Sequence, residues 1–231
     1  MKSLDEVKGL HKVFEERYKY PIANAQQGSE AWFNLKLGVV SASNAYKAVA
    51  GKTTATRQTY MHELVAQVCT GQHPDIGSAA MDWGNSNEDA ARASFEMMND
   101  TKLTELPFVF KDNNFREGAS PDAVDQWGSG VEIKCPYNSA NHIAFIASDK
   151  IKPEYQWQIQ YTMRVLDTDL WYFCSFDPRM KTKPLAIKTV KRDSEMQAKL
   201  DDLVPAFIED MDKMLESVGV KFGDQWIGLN V

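Results

Sequence analysis

Ser120-Pro121-Asp122 is followed, after nine intervening residues, by Glu132-Ile133-Lys134. This spacing sets two carboxylates and one ammonium where a strand pair can focus them on one point. Asp122 follows a proline, which biases the backbone toward extended or turn conformations. Gly128, Ser129 and Gly130 supply a turn. Val131-Glu132-Ile133-Lys134-Cys135 alternates apolar and polar, the period of a half-buried strand. Glu132 and Lys134 therefore share one face, with Val131, Ile133 and Cys135 on the other. Hard carboxylate oxygens suit Mg²⁺ or Mn²⁺. A lysine beside them can orient or deprotonate a water, or neutralise charge building on a phosphate. Taken alone, Glu-x-Lys alternation also marks an ordinary solvated strand face, and Pro-Asp an ordinary turn.

The elements that must position these groups follow from periodicity. Residues 2–18 read as an amphipathic helix ended by Tyr20-Pro21, and 22–29 as a polar linker. A short helix spans 30–37, and Ser41 or Ser43 caps the next. Residues 51–57 read as a polar loop, 59–70 as a helix and 71–77 as a loop. A helix at 86–98 starts at Ser86 or Asn87, which puts Glu88 and Asp89 in a first turn where acids complement the helix dipole. Strands are expected at 103–110, 115–119 and 131–135. Pro153 opens a helix to about Leu166, on which Gln158 can hydrogen-bond a water or a metal-bound group, or can be a core-edge glutamine. Strands at 170–176 and 185–191 and an acidic helix at 194–218 complete the order. Trp226, in the tail, is a candidate to pack on a neighbour. Helices before and among strands imply a mixed α/β (α+β) fold, a central mixed sheet flanked by helices.

Composition narrows the function classes. The 231 residues are 43% hydrophobic with six Trp, which argues for a substantial core. No apolar run suits a membrane span, and the first twenty residues lack the apolar core of a secretory signal. The three cysteines are isolated and the four histidines unpaired, so no zinc or iron–sulfur spacing is present. A reduced, cytoplasmic protein fits. The net charge of −6 argues against coating nucleic acid by bulk charge, though not against an enzyme whose bases are local. For such an enzyme the acids of 194–216 are expected to face outward.

Asp122, Glu132 and Lys134 resemble the PD-(D/E)xK nuclease signature. Around them Ala31-Trp32, Leu35-Lys36-Leu37-Gly38-Val39, Ala42-Ser43, Trp83-Gly84, Glu88, Lys134-Cys135-Pro136, Gln158-Ile159-Gln160-Tyr161, Trp171-Tyr172-Phe173 and Asp177-Pro178-Arg179-Met180 resemble the lambda exonuclease (YqaJ) family of phage recombination nucleases. The likeness runs over about 27–226. It implies one nuclease domain over 1–231, with an N-terminal helix and linker at 1–26, the core at 27–226 and a tail at 227–231. The implied fold is the restriction-endonuclease-like one.

The resemblance also implies a processive 5′→3′ exonuclease on duplex DNA ends, releasing mononucleotides and leaving 3′ single strands for recombination by annealing. It implies a toroidal homotrimer, a phage single-strand annealing protein as partner, and a phage or prophage gene acting in a bacterial host. By position, Asp122 and Glu132 would hold Mg²⁺ with the Ile133 carbonyl, two ions per site, Mn²⁺ substituting. Lys134 would serve the attacking water, with Glu88 and Gln158 beside the site and Asp112 a further acid. Lys36 and Ser43 would bind the 5′-phosphate, lysine standing where the family has arginine and lacking its bidentate fork. Arg57, in a loop over 51–58 shorter than the family's, is a candidate to reach the minor groove, or else a solvated loop arginine. The competing readings are a restriction-type endonuclease and a catalytically inactive DNA-end binding protein.

Overall fold

The computed structural model describes residues 1–22, 25–73, 79–148 and 150–227. The loop expected at 71–77 lies partly outside them, as do parts of the 22–29 linker and of the tail.

The helices in order are α1 (Leu4–Tyr18), α2 (Glu30–Leu35), α3 (Ala45–Ala48), α4 (Ala55–Thr70), α5 (Ala79–Asn99), α6 (Ser139–Ala147), α7 (Pro153–Leu166) and α8 (Ser194–Ser217). The strands are β1 (Val40–Ser41), β2 (Leu103–Thr104), β3 (Val109–Phe110), β4 (Glu117–Ala119), β5 (Ala123–Asp125), β6 (Gly130–Lys134), β7 (Leu170–Phe176) and β8 (Leu185–Lys191). A five-stranded sheet has the order β2-β5-β6-β7-β8, antiparallel except for the parallel β6/β7 pair. β1, β4 and β3 form a second, smaller mixed sheet. The mixed sheet flanked by helices is therefore present, in two pieces. No helix among the described residues is long and apolar enough to cross a membrane.

Local chemistry accounts for most boundaries. Ser3 caps α1 in a capping box with Glu6, and Pro153 opens α7 where its missing N–H costs nothing. Asp193 caps α8 by accepting from the Glu195 and Met196 amides. Three expectations needed correction. The helix placed at 86–98 starts at Ala79. Ser86 and Asn87 therefore cap nothing; their side chains donate back to the Asp82 and Trp83 carbonyls, each at 2.7 Å. Glu88 and Asp89 sit in mid-helix, out of reach of the dipole account. The strand expected at 103–110 breaks into β2 and β3, which join different sheets, and β5 and α6 were not expected at all.

The sheet presents two faces to two helices. Val131 and Ile133 pack with Ala91 and Phe95 of α5 and with Cys174 and Phe176 of β7 and its end. On the opposite face Phe173 packs with the α7 core, where Ile159, Tyr161, Met163 and Val165 are buried. The strand alternation read from 131–135 thus decides which helix each side chain meets. Arg164 of α7 ties this core to its surroundings, pairing with buried Glu117 of β4 and with Asp201 of α8. The tail closes on the chain's own body. Trp226 is 1% exposed among Phe14, Tyr18 and Phe222, and its indole donates to the Asn34 carbonyl at 2.8 Å. It is therefore spoken for within the subunit.

Gly130 shows why the turn into β6 needs glycine. A Cβ there would meet the Trp171 ring at 2.0 Å, and Trp171 is fully buried. Gly130→Ala is expected to lower stability by about 1–3 kcal/mol through overpacking. A thermal melt checks this, and an unchanged midpoint would mean the ring has room to move.

Candidate active site

β5 and β6 bring the candidate site residues to one point. Ala123 pairs with Val131 across the hairpin, which returns Asp122 to the side of β6. The Ile133 N–H donates to Asp122 Oδ2 at 2.5 Å. Glu132 and Lys134 share a face, and Lys134 Nζ donates to Glu132 Oε1 at 2.5 Å. Gln158 of α7 donates from Nε2 to the same Oε1 at 2.6 Å. So Asp122, Glu132, Ile133, Lys134 and Gln158 are brought together. Gln158 bonds the Glu132 carboxylate itself, whereas Gln160, two residues on, turns into the α7–α8 contact.

Burial sets the electrostatics. Glu132 is 2% exposed and Lys134 about one-third, with its ammonium 5.5 Å from the Tyr155 ring centroid. Desolvation, then the neighbouring charge of Glu132, pushes the Asp122 carboxyl well above the usual range. Burial alone would lower the Lys134 ammonium, but Glu132 and Asp122 outweigh it and hold it above its ordinary value. Glu88, from α5, is also raised, mainly by burial, against the pull of Arg92. Its carboxylate accepts from Arg92 Nη1 at 2.5 Å, one helical turn on. Arg92 was not singled out from the sequence. The i, i+4 spacing with Glu88 is the signal that would have found it.

The groove around these residues has two lobes. One, of about 820 Å³, is lined by Asp122, Ile133, Lys134, Tyr137 and Lys152. The other, of about 910 Å³, is lined by Lys36, Ser43, Trp32, Arg92 and Asn44. Glu88, Asn85 and Met81 line both, so the lobes are continuous. Lys36 ends α2 with its ammonium 3.1 Å over the Trp32 ring centroid. Burial pulls its pKa down to about 7, and among the described residues no carboxylate opposes it. The Trp32 indole donates to Ser120 Oγ at 3.0 Å, which ties the Lys36 lobe to the residue two before Asp122. Ser43 lies in the turn after β1, its hydroxyl 3.4 Å from that of Ser41. The expected cap there is only partly realised: Ser41 precedes a 3-10 turn and makes no side-chain capping bond.

Two candidates do not join the site. Arg57 is not in a loop, because Thr54 caps α4 and Ala55 begins it. Its side chain is 5% exposed, bonds Asp210 at 2.8 Å and lies over Phe207. A guanidinium so held can neither reach DNA nor be solvated. Asp112 sits in the turn after β3, where its carboxylate accepts the Asn114 N–H. Its charge acts on Lys2, whose backbone bonds Leu166 at the far end of α7 from Gln158. Of the α8 acids, Asp210 turns inward, 17% exposed on Arg57, whereas Asp201 and Asp212 stay exposed while pairing with Arg164 and Arg116.

The donor set accommodates a hard divalent cation. Half-buried Asp122 and buried Glu132, with Glu88 close by, set three carboxylates against the one Lys134 ammonium, and desolvation first, then Glu132, raises the Asp122 carboxyl. Among the described residues no three His, Cys, Asp or Glu side chains converge as a metal cluster. An ion here would therefore need a backbone oxygen, such as the Ile133 carbonyl, besides the carboxylates.

Known proteins resemble this chain in sequence and in fold. Residues 31–171, more than half the chain, match the YqaJ-like viral recombinase domain. ExoD of Escherichia coli (strain K12) is 44% identical over 78 residues, 34% of this chain and 90% of ExoD. The alkaline exonuclease LHK-Exo of Laribacter hongkongensis superposes with a TM-score of 0.76 at 32% identity, covering 82% of this chain and 96% of that one. LHK-Exo has also been seen in complex with dAMP. A phage-related exonuclease of Haemophilus somnus 129PT shares the fold, with a TM-score of 0.63 at 15% identity over 78% of this chain and 96% of its own. On this sequence match, and with the same fold under it, the chain belongs to the YqaJ-like viral recombinase family.

Proposed function

We propose that this chain is a divalent-metal-dependent 5′→3′ exonuclease acting on ends of duplex DNA. The observation that carries the reading is the joining of two lobes through Glu88, one holding the Asp122 and Lys134 side chains and one a half-buried lysine. A phosphate seated on Lys36 and Ser43 would set the strand end a fixed distance from Asp122, so the protein would measure its cut from an end. An endonuclease has no use for that second lobe. Likeness to the alkaline exonuclease supports the reading, and the dAMP held by that enzyme is a nucleoside monophosphate, as a mononucleotide product would be.

Asp122, Glu132 and the Ile133 carbonyl are the residues to hold Mg²⁺, or Mn²⁺ in its place, two ions per site. Bound there, the ions would stabilise the attacking and leaving oxygens of phosphodiester hydrolysis. Gln158 keeps Glu132 in its rotamer. Lys134, as an ammonium beside Glu132, orients the attacking water by hydrogen bonding and lends positive charge to the phosphate. A toroidal trimer, processive digestion, and delivery of the 3′ strand to a phage-encoded annealing protein in the host cytoplasm complete the proposal.

Linear duplex carrying a 5′-phosphate on one strand only, incubated with Mg²⁺ or with EDTA beside a closed circle, tests it. Mg²⁺-dependent loss of the phosphorylated strand with the circle intact is the expected result. A cut circle would make it an endonuclease, and no cleavage with any metal would make it an end-binding protein. The pH dependence gives a sharper check on Lys36. Its pKa is about 7 in the free protein, and an arriving phosphate favours the ammonium, so binding takes up a proton above that pH. The preference for a phosphorylated over a hydroxyl 5′ end is expected to be largest below pH 7 and to narrow above it. A preference flat from pH 6 to about 9 would remove Lys36 from phosphate binding.

A further inference from the structure

The segment leaving β6 carries Tyr137, whose side chain lines the catalytic lobe yet is 58% exposed. A lone exposed aromatic needs no explanation. This one stands on a built support. Arg179 donates to the Tyr137 carbonyl at 3.0 Å and to the Pro136 carbonyl at 3.1 Å. The fully buried Asp177 carboxylate holds that guanidinium through Nε at 2.8 Å and Nη2 at 2.9 Å. The guanidinium lies 4.3 Å over the Trp83 ring, and Trp83 meets Tyr137 edge to face at 6.2 Å. The backbone under Tyr137 is clamped and its ring is backed, while much of that ring is left to solvent. Rigid aromatics of this kind lose little entropy on contact with a ligand.

We propose that Tyr137 is a stacking platform for an unpaired base of the strand being cut, with Arg179 and Trp83 as its support. The proposal rests on the exonuclease reading above. Tyr137 lies three residues past Lys134, at most about 10 Å along the chain. Stacked bases rise about 3.4 Å per strand, so a strand whose phosphate sits at Asp122 and Lys134 has its nearest bases within reach. A paired base has its faces covered by its neighbours in the duplex; only an unstacked one can lie on the tyrosine. Every base has a π-face, so such a platform grips the strand without choosing sequence, as digestion through any sequence requires. Tyr137 touches substrate away from the reacting atoms and is a positioning residue.

The test places 2-aminopurine at the first, second or third nucleotide of a phosphorylated 5′ strand, with Ca²⁺ replacing Mg²⁺ so that the strand stays uncut, and measures digestion separately in Mg²⁺. Wild type, Tyr137→Phe, Tyr137→Leu and Tyr137→Ala are compared. Stacking should quench the probe at one position in wild type and Tyr137→Phe and not in the other two. Digestion should fall about tenfold to a hundredfold in kcat/KM for Tyr137→Ala and Tyr137→Leu. Tyr137→Phe should stay within about threefold, the scale of an ordinary surface substitution. Leucine rescuing as well as phenylalanine would overturn stacking in favour of apolar packing, and an unaffected alanine variant would overturn it outright. In both cases a wild type that digests ends leaves the exonuclease reading standing. A wild type that digests nothing overturns both.

Discussion

Replacing Lys134 with glutamine is expected to cut the rate of strand cleavage by about 10²–10⁴-fold, the range for losing a group that acts on a proton in flight or on developing charge. The substitution is chosen because of what the ammonium touches. Glu132 is buried at 2% exposure and accepts from Lys134 and Gln158 on a single oxygen. Alanine would strand that carboxylate with one donor and confuse a folding loss with a catalytic one. A glutamine amide can still donate, so the fold and the binding of duplex ends should survive while turnover fails. Melting and end binding in EDTA are measured beside the cleavage rate. A variant within about tenfold of wild type would remove Lys134 from the chemistry. One that binds no DNA would show the lysine to be a binding residue.

Asp122→Asn should separate stability from activity in opposite directions. The Asp122 carboxyl is raised well above its usual range, first by desolvation and then by Glu132. Where a carboxyl is raised on folding, the folded state holds the proton that the unfolded state gives up. Stability without metal must therefore fall as pH rises from about 4 toward the folded value. A neutral asparagine removes that cost and can still accept the Ile133 N–H through its oxygen. The metal-free variant is expected to melt at least about 2–4 °C higher at neutral pH, the shift that one kcal/mol gives in a chain of this size. It should also lose about 10³-fold or more of its cleavage, since an amide is a poor ligand for a hard cation. Added Mg²⁺ should raise the melting point of the wild type and not of the variant. Were the variant less stable without metal, the Asp122 carboxylate would be satisfied in the free protein and the cost of ionising it in this site would be wrong.

Much of the site was legible because its spacing is local. Asp122, Glu132 and Lys134 lie within one hairpin, and a period of two already placed Glu132 and Lys134 on one face. Glu88, Gln158, Lys36 and Ser43 came from the family resemblance, since nothing in their own surroundings marks them. Each is positioned by an element distant in sequence. Arg57 shows the limit of local reading. The polar run Gly51 to Arg57 looks like a loop, yet Thr54 caps a helix inside it, and the arginine is drawn into the body by Asp210, 153 residues away. The start of α5 was missed for a related reason. Ser86 and Asn87 have capping chemistry, but in mid-helix such side chains can bond the carbonyl four residues back.

Sequence by itself determined the chemical types at the site, the strand that carries two of them, the order of most helices and strands, and the family. These are properties of neighbours along the chain, where side-chain period and turn residues act over a few positions. Only the tertiary structure decided which groups share an environment. It set Gln158 on Glu132, joined the lobes of Lys36 and Asp122 through Glu88, clamped Tyr137 on Arg179, and folded Trp226 into its own subunit. The same packing set the charge states, because burial lowers Lys36, and burial followed by the charge of Glu132 raises Asp122, away from their values in a free chain.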